Sequence, residues 1–562
     1  MHCSDNLLHS RRWYVLAAAS VLSYLFLACW LTDSTPKFDD LNDVFGFFKQ
    51  LALAQTPLQK IGAFFYPNNE HVTAFSHLIY FLQYQLLGEV CFYGLTIIGH
   101  LIIIATAYLL GCAINSPRRP FYFAVTLLGY LNLYYWDSSF KAMTAISNQV
   151  VILFALATFF ALLRVKNFAL AIAFAVLATF SQGNGVLAWL VGALFLFFDT
   201  QQPHRFLRLT IWLLAAIGSI AIFTIAQRVL GQPSPLTLSY IAQHWQPHYF
   251  WQIIAAALAF LGSTIFSTAH TTIATVLGFI VLLASTRWLW RDRQRDPLIT
   301  AILLFLLLST LTASMTRGFV AGAEGTLESR YKMYSLAMTL LLGCACIEYW
   351  LPVRWRLRTA ILLLLTALSF QLTALRMIPA IQSQAQRFQA TYPVWLEDGD
   401  FRRQAIYFPP MSDHFLFVAQ YLGVIDLMQF VPQEAILRRL PAAPERKCPP
   451  ASALAAPCSM TIRHRGNAIA VVVRADSTLP ALPATVTLCD TQTDAVMEFA
   501  IPETPTAQQT WLIPEAEIPA GQYRVLIQPT HQAACETVLT KKPRKVETEM
   551  RTLFKDTPIH SG

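Results

Sequence analysis

Charge is scarce in this sequence: Asp, Glu, Lys and Arg make up only 13% of its 562 residues, about half the share of an ordinary soluble domain. Hydrophobic residues make up 55%, and the mean hydropathy is +0.46. Several apolar runs reach the roughly 18–20 residues that cross a bilayer. These features exclude a soluble globular protein and predict a polytopic membrane protein.

Two kinds of motif are also missing. Gly183-Asn184-Gly185 is a lone GxG, which we interpret as a tight turn between two short spans and not as a phosphate loop. No group of Cys and His residues has the spacing of zinc ligands. The sequence therefore predicts neither a nucleotide-phosphate loop nor a structural zinc site.

The net charge of +9 is explained by where the basic residues lie. They concentrate in short loops between apolar runs, as the positive-inside rule predicts for cytoplasmic loops. Topology thus accounts for them, and no nucleic-acid partner is predicted. The loops carry Arg118 and Arg119, Arg164 and Lys166, Arg205 and Arg208, Arg287, Arg291, Arg293 and Arg295, and Arg354, Arg356 and Arg358.

With the basic loops in the cytoplasm, the apolar runs predict about 11 transmembrane helices, an inner N-terminus and an outer C-terminal region. The first run, Trp13–Leu31, is long for a signal peptide, so we predict a retained anchor. Val72–Leu87 and Phe250–Phe266 are predicted as re-entrant or interfacial outer helices, because a crossing there would misplace every later basic loop. The predicted spans are 13–31, 91–113, 120–136, 147–163, 167–181, 185–198, 209–229, 271–289, 297–314, 331–351 and 358–375.

The composition changes after the last span, which predicts further domains outside the membrane. Short alternating runs at Ala468–Val473, Ala484–Leu488 and Tyr523–Ile527 predict an antiparallel β-sandwich. The predicted boundaries are 1–376 for the transmembrane domain with outer-face helices at 35–88, 377–440 for a helical connector, 441–458 for a Pro/Ala-rich linker, 459–540 for the β-domain and 541–562 for a charged tail.

Four cysteines lie in this outer region: Cys448, Cys458, Cys489 and Cys535. An extracytoplasmic compartment permits disulfides. Of the three connectivities that four cysteines allow, we favour Cys448–Cys458 with Cys489–Cys535.

The stretch Thr35–Gln50, directly after the first span, places Asp39, Asp40 and Asp43 within five residues. Thr35 and Pro36 suit the cap and first position of a helix. Apolar residues then recur at helical spacing, which predicts a helix lying along the membrane surface. These apolar residues are Leu41, Val44, Phe45 and Phe48.

The acidic pair in Phe38-Asp39-Asp40, followed by an aromatic helix, many spans and a C-terminal extracytoplasmic domain, resembles the C-type integral-membrane glycosyltransferases. That family includes protein mannosyltransferases, lipid A aminoarabinose transferases and arabinosyltransferases. The resemblance implies a polyprenyl-phosphate sugar donor and a glycan, lipid or protein acceptor such as a pilin. It also implies a bacterial inner-membrane protein whose active site and β-domain face the periplasm. Asp39 matches the family's first acid by position.

A carboxylate suits this chemistry because the acceptor hydroxyl must lose a proton as the sugar leaves the lipid phosphate. We predict Asp39 or Asp40 as the general base of an inverting transfer, with Asp43 contacting substrate. The alternative is structural, since acids near a helix N-terminus also meet the helix dipole favourably. A divalent cation at Asp39 and Asp40 is left open, and no other cofactor is predicted.

Further candidates for substrate binding lie on other outer loops. Glu70 and His71 would orient the acceptor, although they also suit the start of the next helix. Asp137 and Lys141 lie on the hairpin between the third and fourth spans. Arg317, Arg330 and Lys332 break the positive-inside trend and would hold the leaving phosphate, unless they only snorkel at a span end.

Two rival functions remain open at this stage. A transporter or flippase of a lipid-linked saccharide would carry ionisable residues at mid-membrane depth and internal repeats of spans. A membrane scaffold whose β-domain binds a partner would tolerate replacement of the acidic stretch.

Overall fold

The computed structural model describes residues 10–69, 71–199, 204–230, 245–264 and 270–398, together with Leu8, Ala419, 423–425, 438–439 and most of 458–541. The chain divides into two compact units, one of residues 1–86 with 91–385 and one of residues 87–90 with 386–562. The two units are described separately.

The first unit is built almost entirely from helices. Three of the helices each continue into a π-helical turn, at Phe160–Val165, Trp288–Asp292 and Cys346–Trp350. In chain order the helices are α1 (Trp13–Leu31), α2 (Asp39–Leu53), α3 (Pro57–Phe64), α4 (Ala74–Leu87), α5 (Phe92–Cys112), α6 (Arg119–Tyr130), α7 (Trp136–Ser139), α8 (Ala142–Phe159), α9 (Phe168–Thr179), α10 (Leu187–Phe198), α11 (Arg205–Leu230), α12 (Pro247–Leu261), α13 (Thr271–Arg287), α14 (Pro297–Ala321), α15 (Ser329–Ala345), α16 (Val353–Ala374) and α17 (Ile378–Asp398).

Among the described residues, 8 helical segments are long and apolar enough to cross a membrane. This confirms the prediction of a polytopic helical membrane protein. Each of these segments contains or overlaps a predicted span. They are Trp13–Leu31, Phe92–Cys112, Ala142–Val165, Arg205–Leu230, Thr271–Asp292, Pro297–Ala321, Ser329–Trp350 and Val353–Tyr392.

The other predicted spans, 120–136, 167–181 and 185–198, form shorter helices. Helix α6 has only 12 residues, whereas about 20 cross a bilayer. It ends because the Asn132 side chain caps the turn, donating to the Gly129 carbonyl at 2.8 Å and accepting from the Tyr134 N–H at 2.8 Å. The helix therefore covers only residues 119–130 of the span predicted for 120–136.

Two of the basic loops are held by ion pairs. Arg118 lies 3.0 Å from Glu348, and Arg164 lies 3.0 Å from Asp296. Asp296 also caps α14, because its carboxylate accepts from the second and third N–H groups of that helix. Part of the basic charge in these loops is thus neutralised within the protein.

Helix α2 starts later than the sequence predicts. It begins at Asp39, not after a Thr35 cap, and the Asp40 carboxylate reaches back to accept from the Lys37 N–H at 2.9 Å. This local bond stabilises a turn ahead of the helix, so Thr35 and Pro36 lie outside it. The apolar residues of α2 are buried, as the periodicity predicts, and they pack α2 within the protein. These residues are Leu41, Val44, Phe45 and Phe48.

The second unit contains two antiparallel sheets. Their inner faces contribute to one buried apolar cluster, with Val471 and Ile513 from one sheet and Val486 and Phe499 from the other. Strands thus occur where the alternation predicts them. A two-residue pair, β1 (Pro67–Asn68) and β2 (His71–Val72), belongs to the first unit. The strands of the second unit are β3 (Arg438–Arg439), β4 (Cys458–Arg465), β5 (Ala468–Ala475), β6 (Ala484–Asp490), β7 (Val496–Ala500), β8 (Gln508–Pro514), β9 (Gly521–Pro529) and β10 (Cys535–Lys541). The two sheets have the orders β10-β9-β6-β7-β3 and β4-β5-β8.

The strand register corrects one predicted disulfide. Cys489 is disulfide-bonded, but β9 lies between β6 and β10. Neighbouring strands are about 4.8 Å apart, so Cys489 and Cys535 are separated by roughly 10 Å or more, beyond the ~7 Å that a disulfide spans between Cα atoms. Cys489 and Cys535 are therefore not partners. Cys448 lies outside the described residues. Among the three connectivities of these four cysteines, Cys448–Cys458 occurs only together with Cys489–Cys535, so the favoured connectivity is wrong.

Candidate functional site

Asp39 is the first residue of α2 and the least satisfied of the three acids. Phe38, before it, has φ 49° and ψ −116°, a conformation that costs a residue with a Cβ about 1–3 kcal/mol. The Asp39 side chain is partly buried, yet it accepts no hydrogen bond from any described residue. A carboxylate with uncommitted oxygens at a strained turn is available to a ligand.

The charges of three basic side chains act on Asp39. Burial raises the pKa of Asp39 above its ordinary value, and the charges of Lys141, Arg330 and Arg317 oppose that shift. The neighbouring charge of Asp43 adds to the upward shift. A carboxylate that is shielded from water and flanked by cations has the environment of a tuned general base.

Asp40 is committed to the backbone. One carboxylate oxygen accepts from the Met143 N–H at 2.7 Å and the other from the Lys37 N–H at 2.9 Å. Burial raises the pKa of Asp40 to about 6, although these two N–H donors and the Lys37 ammonium oppose the rise. Asp40 therefore ties the start of α2 to α8, and of the predicted pair only Asp39 can accept a substrate proton without breaking a bond.

The raised pKa of Asp40 predicts a pH-dependent stability. The folded protein holds the proton of the Asp40 carboxyl more tightly than the unfolded chain does. The stabilisation of the folded state by this group is therefore fully present below its ordinary pKa of 3.8 and is lost as the pH rises to about 6. The loss is on the order of 3 kcal/mol. Melting temperatures of wild type and Asp40→Asn should therefore differ in a pH-dependent way. Wild type should lose stability relative to the variant between pH 4 and 6.5; a gap that widens in favour of wild type would contradict this.

Asp43 lies in a separate, fully buried hydrogen-bond network. Its Oδ1 accepts from the Thr73 hydroxyl at 3.0 Å and lies 3.3 Å from His77 Nε2, and its Oδ2 accepts from the Tyr80 hydroxyl at 2.9 Å. His77 Nδ1 donates to the Phe64 carbonyl at 2.8 Å. These bonds give Asp43 a structural role, and its contact with substrate stays a prediction. Its exposure is 0%, and it anchors α2 to α4.

Removing this anchor should destabilise the protein. Asp43→Ala leaves the buried Thr73 and Tyr80 hydroxyls without their acceptor, at about 1–3 kcal/mol for each group. We expect the melting temperature in detergent to fall by several degrees, with a smaller fall for Asp43→Asn, which keeps one acceptor oxygen. An Asp43→Ala protein that melts with wild type would show that the network does not anchor α2.

The predicted pair Asp137 and Lys141 is an ion pair in the structure. Lys141 Nζ lies 2.9 Å from Asp137 Oδ1 and 4.2 Å from the centroid of the Phe38 ring. Burial alone would raise the pKa of Asp137, but Lys141 and the hydrogen bond from Gln384, at 3.1 Å, lower it. Asp137 therefore holds Lys141 beside the turn that leads into Asp39.

Arg317 and Arg330 line a cavity of about 280 Å³ and also act electrostatically on Asp39. Arg330 pairs with Glu328, and its Nε–H is buried with no hydrogen-bond partner among the described residues. Lys332 points elsewhere, because its Nζ lies 3.4 Å from the Tyr134 carbonyl. The two arginines line the cavity and act on Asp39, whereas Lys332 is not one of the lining residues and interacts electrostatically with Asp137.

The polar end of the cavity includes side chains that sequence reasoning missed. Asn148, Gln182, Asn184 and Tyr334 line it together with His71, whose Nδ1 accepts from the Gly183 N–H at 3.3 Å. The sequence contained one signal for them. A polar, irregular segment between two apolar helices is stable at membrane depth only where it lines a cavity or is buried in protein.

Two further predicted features are Glu70 and a divalent cation at Asp39 and Asp40. Glu70 lies outside the described residues. In the described part of the chain, no group of three or more His, Cys, Asp and Glu side chains is arranged to hold a metal ion. Since both Asp40 oxygens face backbone N–H groups, a divalent cation would find only the Asp39 carboxylate at this position.

The fold and the site together define a multi-pass membrane protein with an acid, several cations and a part-polar cavity in its helical unit. Comparisons with protein-family models, curated proteins and solved structures give no match. The function is therefore inferred from the site itself.

Proposed function

We propose that this protein is a membrane glycosyltransferase that moves a sugar from a polyprenyl-phosphate donor to an extracytoplasmic acceptor. The observation that carries the proposal is the Asp39 carboxylate, which has no hydrogen-bond donor among the described residues and is acted on by Lys141, Arg330 and Arg317. Glycosyl transfer from a lipid phosphate needs a base and a cationic phosphate site close together.

In the proposed reaction, Asp39 accepts the proton of the acceptor hydroxyl. The acceptor oxygen forms a bond to the anomeric carbon while the bond from that carbon to the phosphate oxygen breaks. The electron pair of the broken bond leaves with the polyprenyl phosphate. A single displacement of this kind inverts the anomeric configuration.

Arg330 and Arg317 would stabilise the negative charge on the leaving phosphate. A guanidinium suits this task because it stays ionised and offers several N–H donors in a fixed plane. The Nε–H of Arg330, which is buried and has no hydrogen-bond partner in the described part of the chain, supports this assignment. Lys141 would also act on Asp39, held in place by its ion pair with Asp137.

The same proposal covers the architecture and the location. We propose a C-type arrangement of about 11 spans in a bacterial inner membrane, with the N-terminus in the cytoplasm and the sheets in the periplasm. The apolar walls of the helical unit would hold the polyprenyl tail. The β-domain would bind the acceptor, a glycan, lipid or protein such as a pilin.

A transfer assay tests this function. Purified protein in lipid nanodiscs is given radiolabelled polyprenyl-phosphate hexoses and pentoses with a crude envelope extract as the acceptor. We expect label to move into the extract with release of polyprenyl phosphate. If every donor stays intact although glycan, lipid and protein acceptors are all present, the proposal is refuted.

Transport of a lipid-linked saccharide is a second candidate, because one ionisable residue lies in the interior of a long span. His100 of α5 is completely buried, with Nδ1 2.9 Å from the Tyr24 hydroxyl and Nε2 without a partner among the described residues. Such residues often mark transport pathways. Proteoliposomes separate the two functions, since a transporter would move the intact donor between leaflets and a His100→Phe variant would not.

A further inference from the structure

The polar end of the cavity has unused hydrogen-bonding capacity. Asn184 lies in a 3₁₀ turn, Gly183–Val186, between α9 and α10. Its Nδ2 donates to the Tyr334 hydroxyl at 2.9 Å and to the Ser309 hydroxyl at 3.2 Å. Its Oδ1 is buried and has no partner among the described residues. A buried amide oxygen without a donor costs about 1–3 kcal/mol, so a ligand that satisfies it gains affinity.

The chemistry of the missing partner follows from the amide. Exchanging the amide oxygen and nitrogen would leave the nitrogen unpaired instead, because both neighbours are hydroxyls that donate or accept. A ligand hydroxyl satisfies either orientation, since it is both a donor and an acceptor. The unpaired Asn184 atom therefore selects a hydroxyl-bearing ligand.

The turn that carries Asn184 is held rigidly. A Cβ at Gly185 would lie 1.9 Å from the Ala178 carbonyl oxygen, so only glycine allows the turn to pack this closely. Gln182 Nε2 donates to Asn148 Oδ1 at 2.6 Å on the same wall. Asn184 is thus fixed before a ligand arrives, which lowers the entropy that binding must overcome.

Two cationic side chains also line this cavity. Arg317 and Arg330 line the same cavity as Asn184, and the buried Nε–H of Arg330 lacks a partner among the described residues. The cavity volume of about 280 Å³ lies near the lower end of small-molecule pockets, at roughly 300 Å³. One small headgroup with a negative charge and hydroxyls fits these properties.

We propose that the cavity binds the sugar of a glycosyl phosphate, with Asn184 contacting a sugar hydroxyl and Arg330 contacting the phosphate. The inference rests on the proposed function for the lipid that carries this group. It adds a recognition site that makes the protein prefer a glycosylated lipid phosphate to the bare one.

A binding assay without turnover tests this. Wild type and Asn184→Ala, both carrying Asp39→Asn to stop transfer, are titrated in nanodiscs with farnesyl phosphate, with glucosyl farnesyl phosphate and with soluble glucose 1-phosphate. Asn167→Ala is the matched control, because Asn167 only caps α9. Asn184→Leu is the second variant if the alanine variant does not fold, because leucine is close to asparagine in size but has no hydrogen-bonding group.

We expect the Asn184 parent to bind the glycosylated lipid about tenfold more tightly than the bare one, and Asn184→Ala or Asn184→Leu to lose that preference. The control should keep it. Equal binding of the two lipids, or a preference unchanged in both Asn184 variants, overturns the inference without touching the proposed transfer. Conversely, an Asn184-dependent preference here, combined with a protein with native Asp39 that moves no sugar in the transfer assay, supports the binding site and refutes the transferase. If glucose 1-phosphate bound as tightly as glucosyl farnesyl phosphate, the site would be assigned to soluble ligands and the inference about a glycosylated lipid would be overturned.

Discussion

Asp39→Asn should lower the rate of sugar transfer by about 10²–10⁴-fold, the range for removal of a general base, while the protein stays folded. The variant keeps the size of the side chain but cannot accept a proton. Since Asp39 accepts no hydrogen bond from the described residues, the substitution breaks none of their hydrogen bonds. The measurement is the initial rate of transfer from a radiolabelled polyprenyl-phosphate sugar.

The controls for this variant separate chemistry from binding. Donor affinity should change little, and Glu89→Gln, which removes an exposed acid elsewhere, should transfer at the wild-type rate. Because burial raises the pKa of Asp39, the wild-type rate of transfer should fall as the pH drops towards that raised pKa. The fall should begin at a higher pH than the ordinary pKa of an aspartate would give. An Asp39→Asn protein with the wild-type rate and pH profile would remove Asp39 from the mechanism.

Arg330→Gln should have the second-largest effect. Loss of a charged hydrogen bond to the phosphate should weaken donor binding by about 10- to 150-fold, and transfer should slow further as charge develops on the leaving group. Arg330→Lys should recover part of the rate, because it keeps the charge but loses the planar fork. Donor affinity and initial rate are measured separately for each variant.

Arg293→Gln is the matched control for Arg330, because Arg293 is an exposed arginine of a basic loop. It should leave both donor affinity and rate unchanged. If Arg330→Gln bound the donor as tightly as wild type, the leaving phosphate would not lie at Arg330. The cavity between Arg330 and Asn184 would then need a different ligand.

Most of the helical architecture is predictable from sequence, because crossing a bilayer requires long apolar helices. Local polar bonds explain the exceptions. Asn132 ends α6 by bonding to the backbone, and Asp40 reaches back to the Lys37 N–H and delays the start of α2. Neither bond is visible in hydrophobic periodicity.

The site is predictable only in part, since its residues come from distant parts of the chain. The acids near Asp39 were found from their position after the first span, and Arg330 was found because it breaks the charge trend. That Arg330 acts on Asp39 depends on tertiary packing. Asn184 was missed because its glycine neighbours match a simple turn, and the burial of Asp43 was missed because its partners lie 30 to 37 residues later.

One measurement tests the central claim most directly. A polyprenyl-phosphate hexose labelled with ³H in the lipid and ¹⁴C in the sugar is incubated with reconstituted wild-type protein and envelope acceptors, beside Asp39→Asn. Glycosyl transfer predicts that ¹⁴C enters the acceptor with an equal amount of ³H-labelled polyprenyl phosphate released, and that both stop in the variant. If ³H and ¹⁴C stay joined in intact donor, or separate equally in Asp39→Asn, the account is contradicted.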